Sequence, residues 1–208
     1  MNEKNEKSRI DKIITGLLIA VIIAAVGIFS YVNLPWQAEK KQNLAETPIA
    51  ETILTVVYGD KQVNYTLEEL ETLQSYTGRG GYRTSFPSIK GPYEYTGVPV
   101  TTLVEKIDNI SGNYSLKIVD KDGEEQTYNF SVIQGNVAIY NASDPNNETP
   151  LGYDDVTMIL AYKQDGEYLN ASRDGRLRIA FVNDKGSITA SRLWWKFVVS
   201  IEIIPESS

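Results

Sequence analysis

The spacing of apolar positions changes once along this chain. From Ile13 to Ala38 no side chain carries a charge, and 13–32 is almost entirely Ile, Leu, Val, Ala and Gly. Twenty residues at about 1.5 Å of helical rise span roughly 30 Å, the thickness of a bilayer's hydrocarbon core. Tyr31 and Trp36 fall where an interfacial belt would sit. The pattern predicts a transmembrane anchor over 13–32. Residues 33–52 follow as a polar tether with Pro35, Pro48 and the run Glu39-Lys40-Lys41.

From Ile53 onward the apolar runs become short and β-branched. ILTVVY (53–58), Gly59-Asp60 and QVNYT read as a hairpin. TLEELETL (66–73) reads as a short helix with Thr66 and Glu69 as its capping box. TTLVEKI (101–107) reads as a second helix, with Thr102 and Glu105 as the box and Pro99 just before it. YSLKIV and EQTYNFSV flank Asp120-Lys121-Asp122-Gly123, a hairpin signal, and VAIYN is another strand. MILAYKQDGEYL turns at Asp165-Gly166. RLRIAFVN (176–183) alternates Leu177, Ile179 and Phe181 against Arg176, Arg178 and Ala180, so one face is expected inside. WWKFVVSIEII (194–204) reads as the closing strand, with one of Trp194 and Trp195 in the core. About eight strands and two short helices, not alternating as in a doubly wound fold, predict a β-dominated α+β domain.

Flanking charge orients the anchor. Lys4, Lys7, Arg9 and Lys12 precede it and only Lys40 and Lys41 follow closely, which predicts a cytoplasmic N-terminus (1–12) and an extracytoplasmic domain at the cell membrane. The alternative is a cleaved signal peptide ending near Ala25-Val26-Gly27. The apolar run continues through Ile28, Phe29 and Val32, beyond where a signal core stops. Asn-x-Ser/Thr occurs at Asn64, Asn109, Asn113, Asn129, Asn141, Asn147 and Asn170. This reads either as N-glycosylation of a surface protein or as ordinary turn composition.

Composition prunes the chemistry. The chain has no histidine and no cysteine. Zinc, copper, haem and iron–sulfur sites, Ser-His-Asp and Cys-His nucleophiles, and disulfides are therefore not expected. The net charge is −7 overall and −8 after residue 12, which argues against a nucleic-acid partner. No spacing names a catalytic group or a metal-ligand set. NASDPNNETPLGYDD (141–155) is rich in oxygen ligands but lacks the order of an EF-hand loop.

Two basic segments stand out against that acidity. GRGGYRTSFPSIKG (78–91) carries Arg79, Arg83 and Lys90 among four glycines, and reads either as an anion-holding loop or as turns between strands. SRDGRLRIAF carries Arg173, Arg176 and Arg178, which could either clamp an anion or pair with Asp174 and Glu167. Arg79, Arg83, Lys90, Arg176 and Arg178 are the candidate ligand-binding residues.

The order of segments resembles a known family. YTGVPVTTLVEKI (95–107), VDKDGEEQTYNFSV, MILAYKQDGEYLNASRDGRLRIAFVN and LWWKFVVSIEI resemble, in order, four segments of the sulfite-oxidase-type molybdopterin-binding domain, covering about 53–204. The resemblance implies a mixed α+β fold around a pyranopterin whose molybdenum is held by a cysteine thiolate, and oxidoreductase chemistry on small oxo-substrates. This chain has no cysteine where the thiolate would stand, upstream of the Gly97-Val98-Pro99 helix; Ser85 and Ser88 lie nearby. Of the family's Gly-Pro-Leu-Arg segment, Arg178 is retained and the proline is lost. The expectation is a membrane-anchored domain of this fold without standard molybdenum catalysis, binding a small anionic or pterin-like ligand, with 78–91 a repurposed ligand loop. The alternative is a cell-surface structural or contact module with a membrane-protein partner and a vestigial pocket.

Overall fold

The computed structural model describes residues 51–108, Ile110 and 112–206, together with Leu17 and 20–24, which are helical. The chain divides into two compact units, Met1–Ile49 and Ala50–Ser208. Among the described residues no helix is long and apolar enough to cross a membrane. The expected anchor lies outside the described residues except at Leu17 and 20–24. The N-terminal tail 1–12, tether positions 33–50 and the sequon at Asn109 lie outside them entirely.

In the second unit the β-branched runs form strands where the turn signals allow. β1 (Leu54–Tyr58) and β2 (Lys61–Tyr65) pair antiparallel around Gly59, which has φ +56°. α1 (Leu67–Thr72) starts at Thr66, whose Oγ1 accepts the Glu69 N–H while Glu69 Oε2 accepts the Thr66 N–H, so the expected capping box forms. β3 (Tyr76–Arg83) and β4 (Ile89–Pro99) form a long hairpin. β4 runs directly into α2 (Val100–Ile107), whose N-cap is Pro99 with no side-chain bond. The expected Thr102–Glu105 box does not form, because Thr102 already lies inside the helix.

β5 (Tyr114–Asp120) and β6 (Glu125–Tyr128) pair as expected. The second strand stops earlier than its apolar residues suggest: Asn129 accepts the Val132 N–H at 3.0 Å and caps α3 (Phe130–Ile133). β7 (Asn136–Ile139) pairs with β8 (Gly152–Asp155). β9 (Thr157–Gln164), β10 (Glu167–Tyr168), β11 (Arg178–Val182), β12 (Ile188–Ala190) and β13 (Val198–Pro205) complete the unit.

One sheet has the order β2-β1-β13-β5-β6, a second has β10-β9-β4-β3-β12 with β11 also paired to β9, and β7 and β8 form a third, two-stranded sheet. A single buried cluster draws on both larger sheets, including Leu54, Ile118, Leu160, Phe181 and Ile201. The β-dominated α+β class expected from the sequence is observed.

Three expectations change. β11 is buried along its whole length, Arg178 included, rather than on alternate residues. It pairs with β9 on one edge, and β3 closes over it from another direction: a side chain at Gly80 would meet the Phe181 carbonyl oxygen at 2.1 Å. The glycine-rich stretch is therefore strand, not ligand loop, and its glycines permit this close crossing. Its amides are already engaged: Arg79, Gly81 and Thr84 donate to the carbonyls of Asn183, Ser187 and Ser88. Finally, Trp194 and Trp195 precede the closing strand instead of opening it. A 3-10 turn at Ser191–Leu193 and a left-handed Phe197, φ +54°, delay the strand to Val198.

Candidate functional site

Arg178 opens β11 and is 2% exposed. Its register opposite Ala161 of β9 leaves the guanidinium among three aromatic rings. Its Cζ lies 5.3 Å from the ring centre of Trp194, 5.5 Å from Tyr95 and 6.0 Å from Tyr82. Such a cage stabilises a desolvated cation through the negative ring faces. The rings also pack on one another: Trp194 lies 5.2 Å from Tyr82 and 5.3 Å from Tyr95. Trp194 Nε1 donates to Thr189 Oγ1 at 2.7 Å, which fixes the indole. Burial pushes the Tyr95 phenol up to about 12, against the opposing pull of Arg178, so the ring is neutral at physiological pH.

Among the described residues a single carboxylate pairs with this cation. Arg178 Nη1 lies 3.4 Å from Asp174 Oδ1. Asp174 is itself buried and also takes Lys196 Nζ at 2.8 Å and Arg173 Nε at 2.7 Å. Burial alone would push the Asp174 carboxyl up. Hydrogen bonds from Lys196 and Arg173 and the neighbouring positive charges outweigh it and hold the group below the usual carboxylate range. Three cations around one anion leave a local excess of two positive charges in an acidic domain.

The hydrogen-bond inventory of Arg178 is incomplete. Among the described residues, the buried side-chain polar atoms without a partner are Arg178 Nε, Arg178 Nη2 and Trp195 Nε1. Trp195 is on the segment beside Arg178, its carbonyl accepting the Ile179 N–H at 2.7 Å. Unmet buried donors are rare and costly, so two on one guanidinium single out Arg178 among the described side chains.

The other predicted residues stand elsewhere. Arg83 Nε donates to the Pro145 carbonyl at 2.7 Å and Nη2 pairs with Glu148 at 2.9 Å. Arg176 pairs with Glu51 at 2.7 Å rather than with Asp174 or Glu167. Arg79 and Lys90 are exposed on β3 and β4, with Lys90 opposite Tyr82. The hairpin thus contributes the Tyr82 and Tyr95 rings to the Arg178 site, and among the contacts of the described residues none joins its three cations to that site. Arg173 takes the local ion pair considered for it. The sequence offers Asp174 only as a local ion-pair partner and Trp194 only as a core candidate, and Lys196, Tyr82 and Tyr95 do not stand out in it as site residues. Asp174 four residues before Arg178 was a visible signal; the convergence of the rings depends on strand pairing.

A second polar knot follows β11. Asn183 Oδ1 accepts the N–H groups of Lys185, Gly186 and Ser187, and its Nδ2 reaches Asp154 Oδ2 at 3.1 Å. Ser187 Oγ and Lys185 Nζ donate to the same carboxylate. The Ser187 and Lys185 bonds hold the Asp154 carboxyl below its usual range. Three amides that could cradle an anion are here consumed by a side-chain oxygen.

The donor set does not fit molybdenum held by a thiolate. No cysteine exists, Ser88 Oγ is 2.8 Å from Thr84 Oγ1, and among the described residues no three His, Cys, Asp or Glu groups stand close enough to hold a metal ion. The unmet donors at Arg178 are of the kind that bond the oxygens of an anion.

No protein-family model matches the chain, and no curated protein does. Among solved structures it resembles the sulfane dehydrogenase SoxCD from Paracoccus pantotrophus, with a TM-score of 0.52 and 15% sequence identity. The likeness covers 76% of this chain and 39% of that one, so the chain spans well under half of its length. At such identity the likeness speaks for the fold alone, and it supports a distant sulfite-oxidase-type fold.

Proposed function

We propose that this chain is a membrane-anchored, extracytoplasmic ligand-binding domain that uses a distant sulfite-oxidase-type fold to hold a small anionic or pterin-like molecule at Arg178, without thiolate-bound molybdenum. The observation that carries the reading is a guanidinium 2% exposed with two unpartnered nitrogens inside an aromatic cage. An anion's oxygens would complete its hydrogen bonds, and the planar rings suit a flat ligand body. Tyr82 is half-buried while Tyr95 and Trp194 are buried, so Tyr82 is the ring of the cage nearest to solvent. Half-buried Lys196 and exposed Arg173, both paired with Asp174, add attraction for an anion. The apolar run 13–32 and its flanking basic residues support the anchor and its orientation.

The test is the content of natively purified full chain. After denaturation, the released small molecules are separated, pterin fluorescence and phosphate are measured, and molybdenum is determined by mass spectrometry. The expected result is a stoichiometric anion released from wild type and missing from R178M. Stoichiometric molybdenum would overturn the exclusion of the metal, and no released anion would overturn the ligand.

A second reading, a contact module for a membrane-protein partner, is favoured by exposed apolar residues. Phe86 is 83% exposed in the β3–β4 turn, and Leu151 and Tyr153 are exposed at the start of β8. Cross-linking in intact membranes that survives R178M and fails in F86S would favour it.

A further inference from the structure

We propose that the cleft between the leading ends of β1 and β13 is a second ligand site, suited to a small amphipathic monoanion such as an aryl or acyl carboxylate. The cleft has a volume of about 660 Å³, within the range of small-molecule pockets.

Its origin is in the backbone. β1 and β13 pair in parallel from Thr55 and Ser200 onward. Before that point β13 is drawn away. The Phe197 N–H goes to the Asp174 carbonyl, the Val198 N–H to the Leu177 carbonyl, and the Phe197 carbonyl accepts the Lys121 N–H. These three bonds hold Phe197 at φ +54°, a region where a side chain is disfavoured, and its ring becomes part of the cleft wall. Gly175 makes the crossing possible: a side chain there would lie 2.5 Å from Phe197 Cα, and its φ is +79°. On the other side, Ile53 gives its N–H to Tyr65 of β2, so 51–54 stays apart from β13.

The chemistry of the walls selects the occupant. The lining is mostly apolar, with Leu54, Phe197 and Val199 among it, and its charged members are Lys121, Arg176 and Glu51. Arg176 is engaged by Glu51 at 2.7 Å. Lys121 Nζ rests 4.3 Å from the centre of the Phe197 ring. The net charge of the lining is therefore positive, in a domain that is strongly negative after residue 12. An apolar body against Phe197 and Val199 with a carboxylate at Lys121 satisfies both features.

This site is separate from Arg178. Asp174 and Lys196 bond each other on the Arg178 side, whereas their chain neighbours Gly175 and Phe197 meet at the cleft.

The experiment is calorimetric titration of the full chain in detergent, blanked against empty micelles, with 2-naphthoate and its neutral isostere 2-naphthamide. Lys121, Arg176 and Glu51 are exposed, so their substitution leaves the core intact. The expected result is one-site binding of naphthoate, tighter than that of the amide. The double variant K121Q/R176Q weakens naphthoate by about tenfold and leaves the amide unchanged, the size of one lost charge-assisted contact. E51Q frees Arg176 and strengthens naphthoate binding, a sign that a purely structural ion pair would not give. R178M binds naphthoate like wild type. No binding, equal affinity for acid and amide, weakening by E51Q, or loss of naphthoate binding in R178M would each overturn the cleft as the site. The first three leave the Arg178 reading standing; the last would move the carboxylate to it.

Discussion

At Arg83, Nε donates to a carbonyl at 2.7 Å and Nη2 meets a carboxylate at 2.9 Å. At Arg178, one long contact of 3.4 Å to Asp174 is the guanidinium's hydrogen bond, and Nε and Nη2 have none. Both arginines are mostly covered, and both come from basic segments that look alike in sequence. Arg83 ties the β3–β4 turn to the 141–149 loop, and its bonding pattern explains its presence. Arg178 is held by aromatic faces and a shared carboxylate, with donors to spare. On the proposed reading, burial alone does not make a cation a site, and burial with unmet hydrogen bonds does, because the fold then carries a cost that an additional acceptor removes.

The largest effect expected from breaking this contrast is at Asp174. Asp174→Ala removes the carboxylate shared by Arg178, Lys196 and Arg173 and leaves a buried guanidinium without a counter-ion. Removing one partner of a buried pair costs about 3–5 kcal/mol. Urea unfolding should show that loss; a change under about 1 kcal/mol would mean that solvent already screens the cluster. The same residue sets an acid dependence. Its folded-state pKa lies below the unfolded value, so its contribution is complete above the unfolded range and is lost as pH falls through the folded value. Below about pH 4 the stability of wild type should therefore fall more steeply than that of Asp174→Asn.

The fold was largely legible because its signals are local. Thr66 and Glu69 sit three apart and form their box; Asp165-Gly166 sits between β9 and β10 and turns the chain. The site was legible only at Arg178. Strand alternation placed that residue on a polar face, which fails where a strand is covered from both sides. The cover over Phe181 and Val182 comes from Gly78 and Gly80 and that over Arg178 from Tyr82, Tyr95 and Trp194, and no period within 176–183 could reveal either. The same glycines suggested a ligand loop because absence of a side chain serves a nearby ligand and a nearby strand equally well. Trp194-Trp195 was misplaced for a related reason: alternation cannot see a left-handed Phe197 held by backbone bonds to residues 121 and 174.

Arg178→Met sharpens the contrast from the other side. The substitution removes two unmet donors, each a burden of about 1–3 kcal/mol, and leaves Asp174 with Lys196 and Arg173. It also removes ring contacts worth about 0.5–2 kcal/mol. These terms oppose one another, so the ligand-free protein should not show the loss of about 3–5 kcal/mol expected for Asp174→Ala. The released anion should vanish. An arginine kept only for structure would behave in the opposite way, with a large loss of stability and no change in ligand content.

Arg83→Gln should have the smallest effect and is the control for the whole comparison. Its carboxylate partner is 79% exposed, so the ion pair is screened and worth about 1 kcal/mol or less. The bond to the Pro145 carbonyl is better protected, since the Arg83 side chain is 11% exposed, but that carbonyl belongs to a surface loop that water can reach once the guanidinium is gone. The expected outcome is a midpoint shift of a few degrees, faster proteolytic cutting within 141–151, and unchanged anion content. If ligand is lost with Arg83 as completely as with Arg178, the two guanidinium groups act on one molecule. The division between a satisfied clamp and an unsatisfied site would then be wrong.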